Sequence, residues 1–385
     1  MEYRRNHLII AGIILLVLLA FTTIVFYSNK LAKKVPILSS TEITPLSTIP
    51  PPTILYLDGS IIHFYCMDTP ACFSDIDLGE PIKTLNDPNH HPLSLRFATY
   101  DRDSMLYLHI AGSIWDYLVK INPQTKQIQF LELNAQSLSS QTGGSSTFLP
   151  AGLKMIHGKI VIGTAEGKIG IVQDDFSLKT IDLKESIRDF IETNDSKAVF
   201  ISQLQSEETQ VKVFLVDVNS GIVEERTINK PQEDGQIVTF DNRLQYLYWV
   251  SSENKTLHLF DISSQRDVRT APISADDVYA YTTLIDARYQ YNGIWYYSRR
   301  CPCEGPVTAL IMNMSTLNSV INPEDLLKDE PTSDSTFLIA PFGDNFLIGT
   351  HSRVYVISLD GTILERHNLP KEWTDRNYYL LEYRK

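Results

Sequence analysis

The chain has 385 residues, 43% of them hydrophobic and 21% charged, enough for one large or two ordinary domains with a true core. Its formal net charge is −12, and residues 53–385 alone carry 29 Lys and Arg against 44 Asp and Glu. That balance excludes a nucleic-acid binder, because phosphate neutralisation needs clustered Lys and Arg, and it suits a basic protein or peptide as partner.

The first element in chain order follows a short segment, residues 1–7. An uncharged apolar run, residues 8–27, covers Leu8 to Tyr27. At about 1.5 Å rise per residue, a helix of this length crosses a hydrocarbon core of roughly 30 Å. A cleaved signal peptide has a shorter apolar core and a small-x-small cleavage site, and "VFYS" offers no such site. The run therefore reads as an uncleaved transmembrane signal anchor. Arg4 and Arg5 precede it and Lys30, Lys33 and Lys34 follow it, so flanking charge does not orient it. Three features place the large part outside the cytoplasm. Residues 28–52 include the Ser/Thr/Pro-rich stalk "VPILSSTEITPLSTIPPP"; the four cysteines form two close pairs; and sequons begin at Asn194, Asn254 and Asn313. A cytoplasmic domain with reversed topology is the alternative that flanking charge leaves open.

From Thr53 onward, short β-rich runs alternate with turn residues. Second strands of a repeating unit read "ILYLD", "LYLHI", "KIVIGT", "AVFIS", "LYWV", "IWYYS" and "FLIGT". Third strands end near Asp68, Asn122, Gln173, Asp217, Asp261, Asn313 and Ser358, at spacings of 54, 51, 44, 44, 52 and 45 residues. A short polar residue there can bond local backbone amides and start the turn into a more polar fourth strand. Seven such four-stranded units predict an all-β, seven-bladed β-propeller over residues 53–385, preceded by one N-terminal transmembrane helix. The first unit has three strands, and "RNYYLLEY" (376–383) is left over at the end. That segment is predicted to complete the first blade as its innermost strand.

The cadence, with phrases such as "LVDVNSG" and "LFDISSQ", resembles the broad repeat β-propeller superfamily, including WD-repeat, quinoprotein-like and YVTN-type propellers. The resemblance implies the fold and carries over no site residues. The Trp115-Asp116 pair stands before its strand, whereas a WD dipeptide closes one.

Candidate chemistry is sparse. Cys66 and Cys72 flank the turn "MDTPA", where opposed antiparallel positions come within disulfide range; Cys301 and Cys303 form a second close pair in "RRCPCEGP". Sequence does not choose among the three pairings of four cysteines. A four-thiolate zinc site would need blades one and six to meet, with blade seven between them. His90 and His91 with Asp87 would need a sharply turned loop to share a metal. Asp75, Asp77 and Glu80, and likewise Asp101 and Asp103, stop short of a calcium loop, and "GTAEGKIG" fails the dinucleotide pattern. No nucleophile elbow or zinc-protease helix is present, so no catalytic, cofactor or metal residue is assigned.

Loops expected on one face of the ring are acidic: Glu207 and Glu208, Glu233 and Asp234, Asp276 and Asp277, and Glu324 and Asp325. "NPEDLLKDEP" reads as a short helix there, capped by Asn322 with Pro323 in its first turn. The leading expectation is a membrane-anchored extracytoplasmic binding or scaffolding module for a protein, peptide or glycan. The alternative is a propeller hydrolase, lactonase or lyase at the central channel, with Asp189, Asp286 and Arg96 near innermost strands.

Overall fold

The computed structural model describes residues 53–67, 74–79, 82, 94–101, 105–111, 116–123, 125–133, 148–193, 197–202, 209–231, 235–251, 253–273, 287–291, 293–298, 309–321, 326, 338–374 and 378–383. The expected anchor and stalk lie outside them. Among the described residues, no helix is long and apolar enough to cross a membrane.

The described strands form antiparallel meanders that follow one another along the chain. The first sheet contains β1 (Thr53–Asp58), β2 (Ile61–Cys66) and β3 (Ile76–Asp77). The second contains β4 (Ser94–Tyr100), β5 (Leu106–Ala111), β6 (Asp116–Ile121) and β7 (Ile128–Glu132). The third comprises β8 (Phe148–Ile156), β9 (Lys159–Thr164), β10 (Lys168–Val172) and β11 (Leu178–Asp182). The fourth comprises β12 (Ile187–Glu192), β13 (Lys197–Ser202), β14 (Gln210–Asp217) and β15 (Val223–Asn229). The fifth has β16 (Gln236–Phe240), β17 (Tyr246–Ser251), β18 (Thr256–Asp261) and β19 (Arg266–Pro272). The sixth has β20 (Ala287–Tyr291), β21 (Ile294–Ser298) and β22 (Ala309–Asn313). The seventh meander has β23 (Leu338–Phe342), β24 (Asn345–Gly349), β25 (Arg353–Ser358) and β26 (Ile363–Asn368), and the last strand of the chain joins it to the β4–β7 meander in one nine-stranded sheet. A single-turn helix, α1 (Lys371–Thr374), precedes β27 (Tyr379–Leu380) and β28 (Glu382–Tyr383).

Burial explains why these sheets stack. Successive side chains of a strand point to opposite faces. On β9, Ile160 and Ile162 pack toward the second sheet while Val161 packs toward the fourth. On β13, Phe200 faces the third sheet and Val199 the fifth. Both faces are covered, so second and third strands are near-continuously apolar, whereas outer strands such as β15 and β19 are mostly exposed.

The apolar clusters run around the molecule and return to their start. Leu55 and Ile62 meet Leu108 and Ile110. Leu118 and Leu131 meet Ile160 and Ile162. Val161 and Ile171 meet Phe200 and Val216, and Val199 and Val213 meet Phe240 and Trp249. Val250 and Leu257 meet Met312 and Met314, then Ile294 and Ile311 meet Phe346 and Tyr355. Finally Leu347 and Val354 of the seventh sheet meet Ile54 and Leu380 at the first.

The C-terminal segment divides its pairing. β27 lies antiparallel beside β1, with Ile54 opposite Leu380 and Leu55 opposite Tyr379. The chain then leaves β1 after Leu381, whose N–H donates to the Thr53 carbonyl at 3.0 Å. β28 runs parallel to both β23 and β4, placing Tyr383 beside Phe342 and Tyr100 and Glu382 beside Thr99. Of the strand expected over 376–383, the described residues 378–383 contain two short strands: β27 stands at the edge of the first sheet beside β1, and β28 pairs with β4 and β23 instead.

Candidate functional site

The turns between third and fourth strands repeat one chemistry. Asp217 Oδ1 accepts from the backbone N–H groups of Asn219 and Ser220, at 3.0 and 2.7 Å, and from the Ser220 hydroxyl at 2.9 Å. Asp261 does the same with Ser263 and Ser264, and Asn313 with Ser315 and Thr316. Asn122 starts an equivalent turn; in the third sheet the turn starts at Gln173, whose side-chain amide donates to the Ile171 carbonyl, and Asp175 inside it accepts from the Ser177 N–H and hydroxyl, as Ser358 and Asp360 share the last turn. In that last turn Gly361 has φ of +90°, and a Cβ there would meet the Val320 carbonyl oxygen at 2.0 Å. Only glycine fits it without a backbone shift.

These hydrogen bonds hold the carboxylates below the usual Asp range. The Ser220 amide and hydroxyl do so for Asp217, and the hydroxyls of Ser263, Ser177 and Ser358 lead for Asp261, Asp175 and Asp360. A pKa depressed on folding stabilises the fold above the unfolded value, about 3.9, and that contribution is lost as pH falls through the lower folded value. Acid unfolding should therefore flatten below about pH 4 when all four become Asn, which keeps the turn acceptor without the charge. Urea midpoints from pH 2 to 6 measure this; an unchanged acid limb would refute it.

The acidic residues expected to form a binding face, Glu207, Glu208, Glu233, Asp234, Asp276, Asp277, Glu324 and Asp325, lie outside the described residues. So do Cys72, Cys301, Cys303, His90, His91, Asp87, Glu80, Asp103, Asp286 and the expected helix after Asn322. Cys66 ends β2 in a buried position, accepts a hydrogen bond from the Thr53 hydroxyl at 3.5 Å, and is not a free thiol. Asp101 Oδ1 accepts from the Met105 N–H at 2.8 Å in the β4–β5 hairpin. Asp77 accepts from the Ser60 hydroxyl and the Gly79 N–H. Asp101 and Asp77 thus serve turns. No group of three or more metal-ligating side chains occurs among the described residues. Asn254 is exposed in the β17–β18 turn.

Innermost strands carry register shifts at Arg96 on β4, Arg188 on β12 and Val238 on β16. A bulge re-aims the side chain it inserts. Arg188 reaches from the fourth sheet to donate to the Ile237 carbonyl of the fifth. Asp189, a channel candidate, is already committed. Its Oδ1 accepts from the Phe190 N–H at 2.7 Å and lies 3.4 Å from Lys154 Nζ, with side chains 5% and 10% exposed for Lys154 and Asp189. Lys154 also donates to the Phe190 carbonyl and sits 4.6 Å above that ring's centre. A second buried pair joins His109 on β5 to Asp116 on β6 at 3.1 Å. Asp116 is the first residue of β6 rather than a residue before the strand, and its partnership with His109 is not legible from the Trp-Asp dipeptide.

An aromatic–histidine–carboxylate arrangement that the sequence does not reveal occurs twice. In the first sheet, Tyr56 stacks on its cross-strand partner His63 with centroids 4.7 Å apart, and His63 Nδ1 lies 2.8 Å from Asp75. In the fifth, Trp249 stacks on its cross-strand partner His258 at 3.8 Å, and His258 Nδ1 lies 2.8 Å from Asp267. Each aromatic comes from the second strand of its unit and each histidine from the third. Two residues to the N-terminal side of the histidine stands Ile61 in one sheet and Thr256 in the other.

Repeated antiparallel meanders, apolar clusters that circle back on themselves and a C-terminal strand beside the first define a repeat β-propeller fold. No family model matches the chain, and no curated protein matches it. Among solved structures it is similar to BamB from Moraxella catarrhalis, at 12% identity over 83% of this chain and 87% of that one, with a TM-score of 0.42. It is also similar to the β-propeller domain of Cps50 (Swd1) from Myceliophteria thermophila, at 9% identity, 73% and 90% coverage and a TM-score of 0.40. A third is the Pan2 WD40 domain from Neurospora crassa, at 9% identity, 76% and 79% coverage and a TM-score of 0.40.

Proposed function

We propose that this chain is a seven-bladed β-propeller, tethered by residues 8–27 to a membrane and displayed outside the cytoplasm. It acts there as a binding or scaffolding module for a protein, peptide or glycan. The observation that carries the binding reading is β28. It lies between the innermost strands β4 and β23 and pairs with both, so it takes up the inner edge that a channel site would use. β8 and β12 also approach β20 across the middle. A channel-centred hydrolase, lactonase or lyase needs uncommitted acid–base groups on these strands, and Asp189 is taken by Lys154 and Phe190. Ligand contact therefore falls to the loops of one face, where the sequence concentrates Asp and Glu.

Seven inter-sheet clusters in a closed series support the blade count. The length of the apolar run supports the tether, and the Ser/Thr/Pro stalk supports display at a distance from the bilayer. Cys66, not a free thiol at the end of β2, supports a bridge to Cys72 and hence an oxidising compartment.

Protease added to intact cells tests the placement together with membrane fractionation. The expected result is cleavage of the ring's loops without lysis, in a membrane fraction that loses the protein when residues 8–27 are deleted. Digestion only after lysis would reverse the placement. For the ligand, a Lys/Arg-rich peptide titrated against the full chain in detergent should bind. Exchange of Glu233, Asp234, Asp276 and Asp277 for Lys should weaken that binding at least tenfold; equal binding would reject the acidic face.

A further inference from the structure

The flank of the fifth sheet holds a hydroxyl, an imidazole and a carboxylate in series. Thr256 and His258 stand two residues apart on β18 and so share a face. Thr256 Oγ1 lies 2.8 Å from His258 Nε2, and His258 Nδ1 lies 2.8 Å from Asp267 Oδ2 on β19. Trp249 Nε1–H donates to the other Asp267 oxygen at 3.1 Å, and its ring stacks on the imidazole with an interplanar angle of 16°.

The donors and acceptors fix the roles. An ionised carboxylate only accepts, so His258 donates from Nδ1. In the neutral ring Nε2 is then the acceptor, and it faces the Thr256 hydroxyl. A hydroxyl donating to an imidazole that a carboxylate orients is the arrangement that activates a nucleophile. Solvent reaches it: the side chains of His258 and Asp267 are 14% and 35% exposed.

The first sheet is an internal comparison. Tyr56, His63 and Asp75 repeat the stacked ring, the imidazole and the acid, but Ile61 occupies the position of Thr256. Stacking and charge pairing are common to both sheets. The hydroxyl on the far imidazole nitrogen distinguishes the fifth.

We propose that Thr256 is a nucleophile that accepts an acyl group from an ester, with His258 as its base and Asp267 as a positioning residue. In the first step a bond forms between Thr256 Oγ1 and the acyl carbon, and the ester bond to the leaving oxygen breaks. The hydroxyl proton passes to His258 Nε2 and then to that leaving oxygen. Water, deprotonated by the same nitrogen, attacks the acyl-threonine and returns the hydroxyl, releasing a carboxylic acid. Only ester and water are consumed. The substrate class is an ester with a good leaving group, presented to an open flank rather than a channel. The activity is separate from the binding face.

The test uses the full chain in detergent with p-nitrophenyl acetate, following p-nitrophenolate release and mapping acetylated peptides by mass spectrometry. Acetyl should appear on Thr256 about 100-fold faster than on Thr227, an exposed threonine of β15. Thr256→Val should remove that label, and Thr256→Ser should retain it. His258→Gln should slow labelling about 100-fold, with near-ultraviolet circular dichroism of Trp249 confirming the fold. Thr256 labelled no faster than Thr227, or a folded His258→Gln chain labelled at the wild-type rate, would overturn the proposal.

Discussion

A chain that ends at Thr374 is expected to lose cooperative folding at 25 °C. The deletion removes β27 and β28, and with them Tyr378, Leu380, Leu381 and Tyr383, all buried. At about 1.5–3 kcal/mol for burying each large apolar side chain, the loss is roughly 6–12 kcal/mol. That is comparable with the whole stability of an ordinary domain, about 5–15 kcal/mol. Backbone bonds are lost as well: Leu381 N–H to the Thr53 carbonyl and Gly343 N–H to the Tyr383 carbonyl, at 3.0 and 2.9 Å. The Tyr378 hydroxyl, which donates to the Thr350 carbonyl, goes too. Urea unfolding followed by tryptophan fluorescence measures the effect. A truncated chain with a midpoint close to the full-length value would show that the ring closes without its C-terminal strands.

Lys154→Met should cost about 3–5 kcal/mol, because it strands the Asp189 carboxylate in a nearly dry interface between the third and fourth sheets. The contact over the Phe190 ring is lost with it. Lys154→Met combined with Asp189→Leu should recover most of that loss, since removing both charges also removes their desolvation cost. The double-mutant cycle, read from denaturation midpoints, separates the pair's coupling from the packing of each side chain. If Lys154→Met alone costs less than about 1 kcal/mol, the charges are solvated and the pair does not hold the two sheets together.

The turn residues were legible because their chemistry is local. Asp217, Asp261 and Asn313 bond amides two and three residues onward, so the sequence window that contains the residue contains its partners. Strand cadence was legible for a related reason. A strand covered on both faces must be apolar at nearly every position, and "KIVIGT", "AVFIS" and "FLIGT" show this without knowledge of which neighbour covers them.

The clusters around His63, His258 and Lys154 were not legible. Each depends on the registers that set one strand against the next. His258 meets Asp267 because β18 and β19 pair with a shift between Leu259 and Phe260. Lys154 meets Asp189 because two separate sheets stack, and no sequence period records that distance.

By itself, the amino-acid sequence determined the kind of repeat, the positions of its turns and the two-sided apolarity of its middle strands, all of which arise from interactions within a few residues. Only the tertiary structure decided which polar groups face one another and where the C-terminus goes. Leu380 pairs with Ile54 while Tyr383 pairs with Phe342 and Tyr100, three residues apart in the chain yet in different strands and with different partners. Hydrogen bonding between strands uses the backbone, which every residue carries alike, so the choice of partner is made by the packing of the whole ring and not by the letters of the strand.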